Sequence, residues 1–531
     1  MRAFAVTLAL LCFAPLARAD EAQDLLSLRN TVVGVLEQLV AAGILTQEQA
    51  RKIVDKAQSE ALAEAQKSKA SETPGPDTVR VTYVPQIVKD ELRQQIGADL
   101  KDEVTDAVVA RAHDERWGVP GALPDWVSRV NWTADARLRN ESVLFANDNV
   151  EGFYRNFQAI NKAGGIGPAG QNALLNVSED VHRMTGRMRL GLDANVTDQW
   201  SMGVRVTTGS EGNPVTRNAQ LGEYNGPWDA FVDLAYTRFS STHLVANGGR
   251  FPNPFLSSDL VFDDDLTFEG AALTGLLPFE IGAGKQRAFL TVGYFPLQSV
   301  EFSSRDKYLL ATQLGGQFAF SQQRLGIGVA YYDFANVRGR RNAPGSTLDD
   351  YTAPPWLQKG NTLFDIRNDT DPNTGLFALA ADYKLADAMI FYDSGVIAGS
   401  AAKPIHMKIT ADYVKNVGYD QGAIFHRTGV VVPEKTDGYK VELAVGMPDV
   451  DGSGQWRLVA FYKHLERDAV LDAFTDDDFH RGGTDAEGWG VEALYGLSRH
   501  TWTRIRYFTA NEINGPPLGI DTVQVDLNTK F

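Results

Sequence analysis

Residues 187–196 read Arg-Met-Arg-Leu-Gly-Leu-Asp-Ala-Asn-Val, so apolar side chains occupy every second position and polar or small residues fill the positions between. Successive side chains of a β-strand point to opposite faces, and this period of two therefore predicts a strand with one apolar and one polar face. The alternation recurs from about residue 130 onward, for example in 132–139 and 439–447. It fits the half-buried sheet of a soluble sandwich and also the wall of a membrane barrel, whose apolar set faces lipid and whose polar set faces a wet lumen.

The lengths of the connections between strands distinguish these two architectures. Short connections at 197–199, 240–242, 321–323 and 498–500 alternate with a longer set that includes 145–182, 210–228, 335–373, 416–436 and 466–487. Short turns on one side and long loops on the other are typical of outer-membrane barrels, whereas a soluble sandwich has no reason to keep that order. The predicted fold class is therefore an all-β transmembrane barrel of antiparallel strands, preceded by a short α-helical periplasmic segment.

The pattern predicts sixteen strands in this barrel. They lie at 130–144, 183–196, 200–209, 229–239, 243–252, 266–276, 287–295, 308–320, 324–334, 374–384, 404–415, 437–447, 455–465, 488–497, 501–511 and 520–531. The segment 388–398 resembles a further strand, but counting it would make the total odd and break the alternation of short and long connections. We therefore interpret 388–398 as a periplasmic connection.

The end of the chain supports the same architecture. Val523, Val525, Leu527 and Phe531 share one face of the last predicted strand, and polar residues occupy most of the other face. An amphipathic strand that ends in phenylalanine resembles the assembly signal of bacterial outer-membrane proteins.

The first nineteen residues are predicted to be an export signal. A positive start at Met1-Arg2 and an apolar run over 3–13 precede the cleavage motif Ala17-Arg18-Ala19, which is the pattern of a secretory signal peptide. Cys12 is the only cysteine and would be removed with the signal. The mature chain is then expected to have no disulfide, no thiolate metal site and no cysteine nucleophile.

Two helical segments are predicted between the signal and the barrel, which we place at 127–531. In the first segment, residues 20–70, Leu25, Leu28, Val32, Val35 and Leu39 alternate in spacings of three and four, a pattern that favours a coiled coil. The second segment, residues 71–126, contains a proline-bearing linker and another helix.

Composition and motifs exclude several classes of function. The net charge of −16 leaves no basic stripe for nucleic-acid binding. Beyond the signal, no run of eighteen apolar residues predicts a helical membrane span. No histidine stands in a recognisable nucleophile–base arrangement with a serine. Residues 165–170 match G-x-G-x-x-G and residues 449–454 resemble the start of a calcium loop, but neither stretch has the flanking elements that its motif requires, so we expect neither catalysis nor a cofactor.

The charged residues that alternate toward the lumen are the candidate pore-lining residues. They are Arg137, Arg139, Arg187, Arg189, Asp193, Lys408, Asp412, Lys440, Glu442, Glu492, Arg504 and Arg506. A sixteen-stranded barrel encloses a lumen too wide for side chains to fill, and fixed charges on its wall set ion selectivity. The alternative is that many of these charges only pair across neighbouring strands.

Two acidic triplets occur in predicted long loops, Asp263-Asp264-Asp265 and Asp476-Asp477-Asp478. We interpret them as solvated loop acids at the extracellular rim, in preference to loose contacts for divalent ions.

Four stretches carry a resemblance to a known family. They are Val79–Pro85 (VRVTYVP), Leu123–Trp126 (LPDW), Gly249–Phe255 (GRFPNPF) and Asp263–Gly270 (DDDLTFEG). With them the sequence resembles the proteobacterial outer-membrane porins that have an N-terminal helical extension. The resemblance implies a porin-like barrel in a Gram-negative outer membrane. It implies no particular solute and assigns no residue a role.

The leading functional expectation is passive diffusion of small hydrophilic solutes or ions through a water-filled pore. One alternative is a tether, in which the helices bind peptidoglycan or a periplasmic partner and the barrel is an anchor in outer-membrane lipid. Another is a barrel that surrounds an electron-carrying partner, whose haem would be its own because this chain has no C-x-x-C-H motif. Porin resemblance and the apolar seam of residues 25–39 favour a homo-oligomer, with a trimer as the expected form.

Overall fold

The computed structural model describes residues 129–210, 212–281, 284–301, 303–400 and 403–531. The export signal, the helical segments and the linker predicted for residues 1–126 lie outside this part of the chain. Sixteen long antiparallel strands form its main sheet. They are β1 (Val130–Phe145), β2 (Val181–Asn195), β3 (Trp200–Thr208), β4 (Ala230–Ser240), β5 (Leu244–Pro252), β6 (Thr267–Ile281), β7 (Gly284–Gln298), β8 (Lys307–Phe320), β9 (Gln323–Ala335), β10 (Tyr383–Ser400), β11 (Lys403–Asn416), β12 (Asp437–Gly446), β13 (Trp456–Leu465), β14 (Ala486–Ser498), β15 (Thr501–Glu512) and β16 (Gly519–Lys530).

The remaining elements lie in the connections. The α-helices are α1 (Phe157–Ala163), α2 (Ile166–Ala169) and α3 (Gln421–Thr428), and 3-10 turns occur at Gly170–Ala173, Asp350–Thr352, Asp472–Phe474 and Phe479–Arg481. Short strands occur at Ala219–Gln220, Leu363–Asp365 and Phe377–Leu379.

None of the helices in the described residues is both long enough and apolar enough to cross a bilayer.

The sheet closes on itself. Each long strand pairs with the next along the chain, and β16 returns to pair with β1, from Asp135 opposite Lys530 to Phe145 opposite Ile520. Where β3 ends at Thr208, the short strand Ala219–Gln220 continues the pairing along β2. A closed barrel has no free edge strand, so its backbone polar groups are satisfied within the wall. The predicted total of sixteen strands is confirmed.

One strand lies elsewhere than predicted. The strand predicted at 374–384 and the connection predicted at 388–398 are both wrong, because β10 spans Tyr383–Ser400. Residues 377–379 instead pair with 363–365 inside a long loop. The inward residues of β10 include Leu385 and Met389, which are buried against loops that fill this side of the barrel. With apolar residues on both faces the period of two is weak, which explains the misplaced strand.

The outer surface of the barrel is apolar. Met188, Leu190, Leu314 and Val329 are among the large apolar side chains that lie half-exposed or more on its strands. A soluble monomer rarely exposes a continuous apolar surface of this extent, and the distribution fits a lipid-facing wall.

Part of the lumen is filled by a hydrophobic core. Apolar residues on the inner side of β5–β10 pack against three long loops: loop 3 (residues 253–266), loop 5 (336–382) and loop 7 (466–485). Phe262 of loop 3 lies 5.0 Å from Phe268 on β6 and 5.0 Å from Tyr332 on β9, measured between ring centroids. The apolar segments of these loops leave water by folding inward instead of extending over the rim.

Candidate functional site

Loops 3 and 7 meet inside the barrel. Loop 3 joins β5 to β6 and loop 7 joins β13 to β14, so the two loops start from opposite sides of a sixteen-stranded wall. The backbone N–H of Asp263 donates to the carbonyl of Phe474 at 2.8 Å, and the hydroxyl of Thr475 donates to the carbonyl of Leu260 at 2.9 Å. These bonds hold both acidic triplets within the lumen.

The loop tips face a set of arginines that we call the arginine wall. Its members project inward from β1, β2, β3 and β15, and they are Arg137, Arg139, Arg187, Arg189, Arg205, Arg504 and Arg506. They share the inner face because they stand at alternate positions, the outer positions being occupied mainly by residues such as Met188 and Leu190.

Asp265 connects loop 3 to this wall. Its carboxylate lies 3.0 Å from Arg187 and 3.4 Å from Arg189, and Asp135 on β1 lies 2.8 Å from Arg189. Burial alone would raise the pKa of Asp265, but Arg187, Arg137 and Arg189 outweigh it and lower that pKa. Asp265 is therefore ionised at neutral pH and fixes the end of loop 3 against β2.

Asp478 makes the corresponding connection from loop 7. It lies 2.9 Å from Arg139 on β1 and 2.6 Å from Arg506 on β15, and Gln524 donates to it at 2.8 Å. Burial opposes ionisation, yet Arg139 and Arg506 hold the pKa of Asp478 well below its ordinary value. Together, Asp265 and Asp478 join the tips of two loops to one arginine-bearing face of the barrel.

Three other aspartates of the two triplets lie close together. Each of the carboxylates of Asp263, Asp476 and Asp477 has an oxygen atom that lies within 4.8 Å of those of the other two. Burial and then the neighbouring carboxylates raise the pKa of Asp263 and of Asp477 well above the ordinary value. These residues therefore favour the protonated form. Their interpretation as solvated acids at the rim is wrong, because the apolar residues around them carry both loops into the barrel.

Asp264 differs from its neighbours because its side chain is exposed to solvent although it lies among the inner groups of the barrel. Partial desolvation inside the barrel, followed by the repulsion of Asp259, raises the pKa of Asp264 to about 6. Its charge consequently changes between mildly acidic and neutral solution.

Arg137 is distinct within the arginine wall. It stands directly opposite Arg187 across the β1–β2 pair, and no carboxylate of the described residues lies within 4 Å of it. Its bond is to a neutral group, the side-chain oxygen of Asn218, at 2.5 Å. Arg137 therefore contributes a positive charge that no ion pair neutralises.

The twelve residues predicted from the sequence all stand on inward positions, but they form separate groups. Arg137, Arg139, Arg187, Arg189, Glu492, Arg504 and Arg506 lie together around the tips of loops 3 and 7. Lys408, Asp412, Lys440 and Glu442 lie on β11 and β12, and Asp193 lies on β2, where it accepts a bond from Tyr236 at 3.0 Å.

The group on β11 and β12 mainly anchors loop 3. Lys440 lies 2.7 Å from Asp259 and 3.1 Å from Glu442, and Ser258 donates its hydroxyl to Asp412 at 2.6 Å. Lys408 instead lies over the ring of Phe391. The partners of this group are thus mainly residues of loop 3, whereas the alternative interpretation of these charges expected partners on neighbouring strands.

Sequence reasoning missed the partners that the loops supply. Asp259, Asp265 and Asp478 complete the charged groups, and Arg205 and Asp526 belong to the same inner face. The acidic triplets were a signal in the sequence, but no local pattern shows that loops so far apart in the chain meet.

One family model and several solved structures are similar to this chain. A family model described as "Putative porin" matches residues 29–531. Comparison with curated protein sequences gives no match. Solved structures similar to this one include OprB of Pseudomonas putida, with 10% identity, a TM-score of 0.40 and coverage of 78% of this chain and 97% of that one. They also include the outer-membrane channel DcaP of Acinetobacter baumannii, with 11% identity, a TM-score of 0.39 and coverage of 76% and 97%.

Proposed function

Because the chain belongs to the "Putative porin" family, we propose that this porin-like outer-membrane channel conducts small hydrophilic solutes and ions by passive diffusion through a water-filled lumen. The observation that carries the proposal is the contrast between its two surfaces. The outer surface is apolar, whereas the arginine wall and the tips of loops 3 and 7 present ionised groups to the interior. Fixed charges around a wet passage govern which ions pass it.

We propose that the twelve inward residues given above shape this lumen, the buried members such as Arg139 and Lys440 by holding the loops in place and the accessible members by lining it. Arg137 is the member that most affects permeating ions. Ion pairs such as Arg187–Asp265 present little net charge, since the opposite charges lie only 3.0 Å apart. An unpaired guanidinium on the same face attracts anions and repels cations over the screening distance of the solution, roughly 10 Å at 0.1 M salt.

Single-channel recording on the purified full chain in a planar bilayer tests this function. We expect stable steps of current in potassium chloride, proportional to voltage, and no such steps with detergent alone. A correctly folded protein that gives only background current would contradict the proposal. It would leave the barrel as an anchor, in agreement with the tether alternative.

A further inference from the structure

A cavity of about 390 Å³ lies at the long-loop end of the barrel, next to the arginine wall. Loops 5 and 7, residues of the β1–β2 and β3–β4 connections, and strands β1, β2 and β16 line it. On β1 the lining residue Glu141 is the next inward residue after Arg139, and Val143 follows it. A solute that leaves this cavity toward the lumen therefore meets the arginine wall next.

Much of the cavity surface is apolar. Its apolar side chains include Val143, Val177, Val215, Trp356, Leu357 and Ile520. Most of the remaining lining residues are polar or charged, and cavities of this size that combine apolar and polar side chains are typical of small-molecule sites, in which the polar groups determine orientation. A fully hydrated inorganic ion gains nothing from such walls, whereas an organic solute with an apolar body buries surface there.

Three cations line the cavity, and Arg481 is the one to which the described residues give no hydrogen-bond or ion-pair partner, since Arg183 pairs with Glu141 and Lys359 donates to the ring of His480. The side chain of Arg481 is exposed, and no carboxylate of the described residues lies within 4 Å of its guanidinium. The guanidinium carbon lies 5.7 Å from the centre of the Phe145 ring. The neighbouring Arg183 is already paired with Glu141 at 2.5 Å. Arg481 is thus a cation in a partly apolar cavity with its hydrogen-bond donors available.

The acidic groups of the lining do not oppose an anion at this position. Asp478 is neutralised by Arg139 and Arg506. Burial, followed by the repulsion of Asp478 and Asp476, raises the pKa of Asp477 well above its ordinary value, so this carboxyl favours the neutral form. Glu141 is bonded both to Arg183 and to the side-chain amide of Gln524, at 2.7 Å.

The backbone around Arg481 is held in an unusual conformation. His480 and Arg481 have φ angles of 53° and 57°, in the left-handed region that residues other than glycine rarely adopt. His480 is buried, and its ring nitrogens lie 2.6 Å from the Lys359 ammonium and 3.0 Å from the Leu518 carbonyl. These bonds fix the turn. Strain of this kind persists where the surrounding structure enforces it, and it keeps the position of Arg481 defined before any ligand arrives.

We propose that this cavity binds small organic anions, specifically carboxylates with an apolar body, and that Arg481 pairs with the carboxylate. The inference rests on the proposed function insofar as the bound solute then passes to the arginine wall. The guanidinium presents two parallel N–H groups that match a carboxylate, and the apolar lining contacts the rest of the molecule. Binding concentrates such anions at the entrance of the channel.

Isothermal titration calorimetry on the full chain in neutral detergent tests binding independently of conduction. The probes are benzoate, its neutral isostere benzamide, and acetate, which has the charge without the ring. We expect benzoate to bind at least about tenfold more tightly than either, since a hydrogen-bonded ion pair and a buried ring each contribute more than the 1.4 kcal/mol that corresponds to that factor.

Two variants assign the charge to one residue. Asparagine tolerates the left-handed conformation, so Arg481→Asn removes the guanidinium with little backbone cost, and we expect it to weaken benzoate binding about tenfold. Arg481→Lys keeps the charge but lacks the two parallel N–H groups, so its affinity should lie between those of the unchanged chain and Arg481→Asn. The matched control is Arg155→Asn, which removes an exposed arginine of the β1–β2 connection that does not line the cavity; its affinity should be unchanged.

The outcomes separate this inference from the proposed function. Equal affinity for benzoate and benzamide, or benzoate binding that survives in Arg481→Asn, overturns the assignment of an anion site even if the protein conducts. Binding that depends on Arg481 in a protein that gives no current supports the site and overturns the diffusion pore. Benzoate should also reduce the current of a conducting channel in a concentration-dependent way, and Arg481→Asn should weaken that effect.

Discussion

At the scale of single residues, the arginine wall contains positions with opposite energetic roles. Arg137 and Arg139 are inward neighbours on β1, but Arg139 is almost fully buried between Asp526 and Asp478. Arg137 instead faces Arg187, and none of the residues that the structure describes gives it a carboxylate partner. Removing Arg139 takes one of two arginines from each of its buried carboxylates, whereas removing one of two opposed like charges relieves repulsion. Replacing Arg137 and replacing Arg139 are therefore expected to change the free energy of unfolding in opposite directions.

The substitution Arg137→Gln should leave the free energy of unfolding unchanged or raise it by roughly 0.2–1 kcal/mol, because it removes the repulsion across the β1–β2 pair. It should also shift the reversal potential in a potassium chloride gradient toward potassium, since an unpaired positive charge is lost from the lumen. Denaturant unfolding and bilayer recording measure the two effects. An unchanged reversal potential would contradict the assignment of Arg137 to the lumen.

Arg139→Gln is the matched change and should destabilise the barrel by roughly 1–3 kcal/mol, since Asp526 loses its two bonds from Arg139 and keeps only those from Arg504. The same unfolding experiment checks it. A loss below about 1 kcal/mol, the range of an exposed ion pair, would show that this pair is solvated.

Asp264 should make the channel sensitive to pH. Since its pKa is raised to about 6, it is ionised at pH 8 and protonated at pH 5, and a negative charge leaves the lumen as the pH falls. The permeability ratio of potassium to chloride should therefore decrease over this interval. Asp264→Asn should remove most of that change, and an equally steep pH dependence in the variant would assign the titration to another group.

At the scale of elements, the folding of loop 3 into the barrel is the feature that shapes the interior. Its apolar residues pack in the core, and its polar contacts extend from Gln313 on β8 to Lys440 on β12 and Arg187 on β2. Because the barrel wall is closed by its own hydrogen bonds, loop 3 can lose its contacts while the strands remain paired.

Phe262→Ala tests this separation between loop and wall. Phe262 is buried, and truncation of a buried phenylalanine costs about 3–5 kcal/mol in lost contacts and cavity formation. We expect this loss of stability to release loop 3 while the barrel stays folded. Limited proteolysis should then show new cleavage within 253–266, and bilayer recording should show a noisier current. Phe153→Ala, which truncates an exposed phenylalanine, is the control and should change neither measurement.

At the scale of the whole molecule, the oligomeric state stays a prediction from sequence that lies outside the described residues. The sequence predicts an apolar seam at residues 25–39, and a helix of that length is expected to need a partner surface because it would be too short to be stable alone. The candidates are the neighbouring predicted helix, the barrel, and copies of the same segment. We propose the copies, in a trimer, and retain a contact with peptidoglycan as the alternative.

Replacing Leu28, Val35 and Leu39 by glutamate should weaken this oligomer on a mild-detergent gel, because three charges then interrupt the seam. Each barrel should remain folded, as judged by its heat-dependent mobility. Gln38→Glu, next to the seam, adds a charge without interrupting it and serves as the control. An oligomer that survives the triple change would be held by barrel walls alone.

The amino-acid sequence determined the features of this protein that depend on neighbouring residues. The strand period, the sixteen strands and the inward position of residues such as Arg187 and Arg506 follow from alternation and turn length, because a strand directs successive side chains to opposite faces. The strand at 383–400 was the exception, since apolar residues on both faces remove the pattern.

Only the tertiary structure decided which charges meet. Asp265 reaches Arg187 across 78 residues, and Arg139 reaches Asp478 across 339. The sequence predicted acidic loops at the rim, whereas the apolar residues beside the aspartates bury those loops in the lumen. Local patterns cannot specify such contacts, because the free energy that folds a loop inward comes from packing against strands distant in the chain.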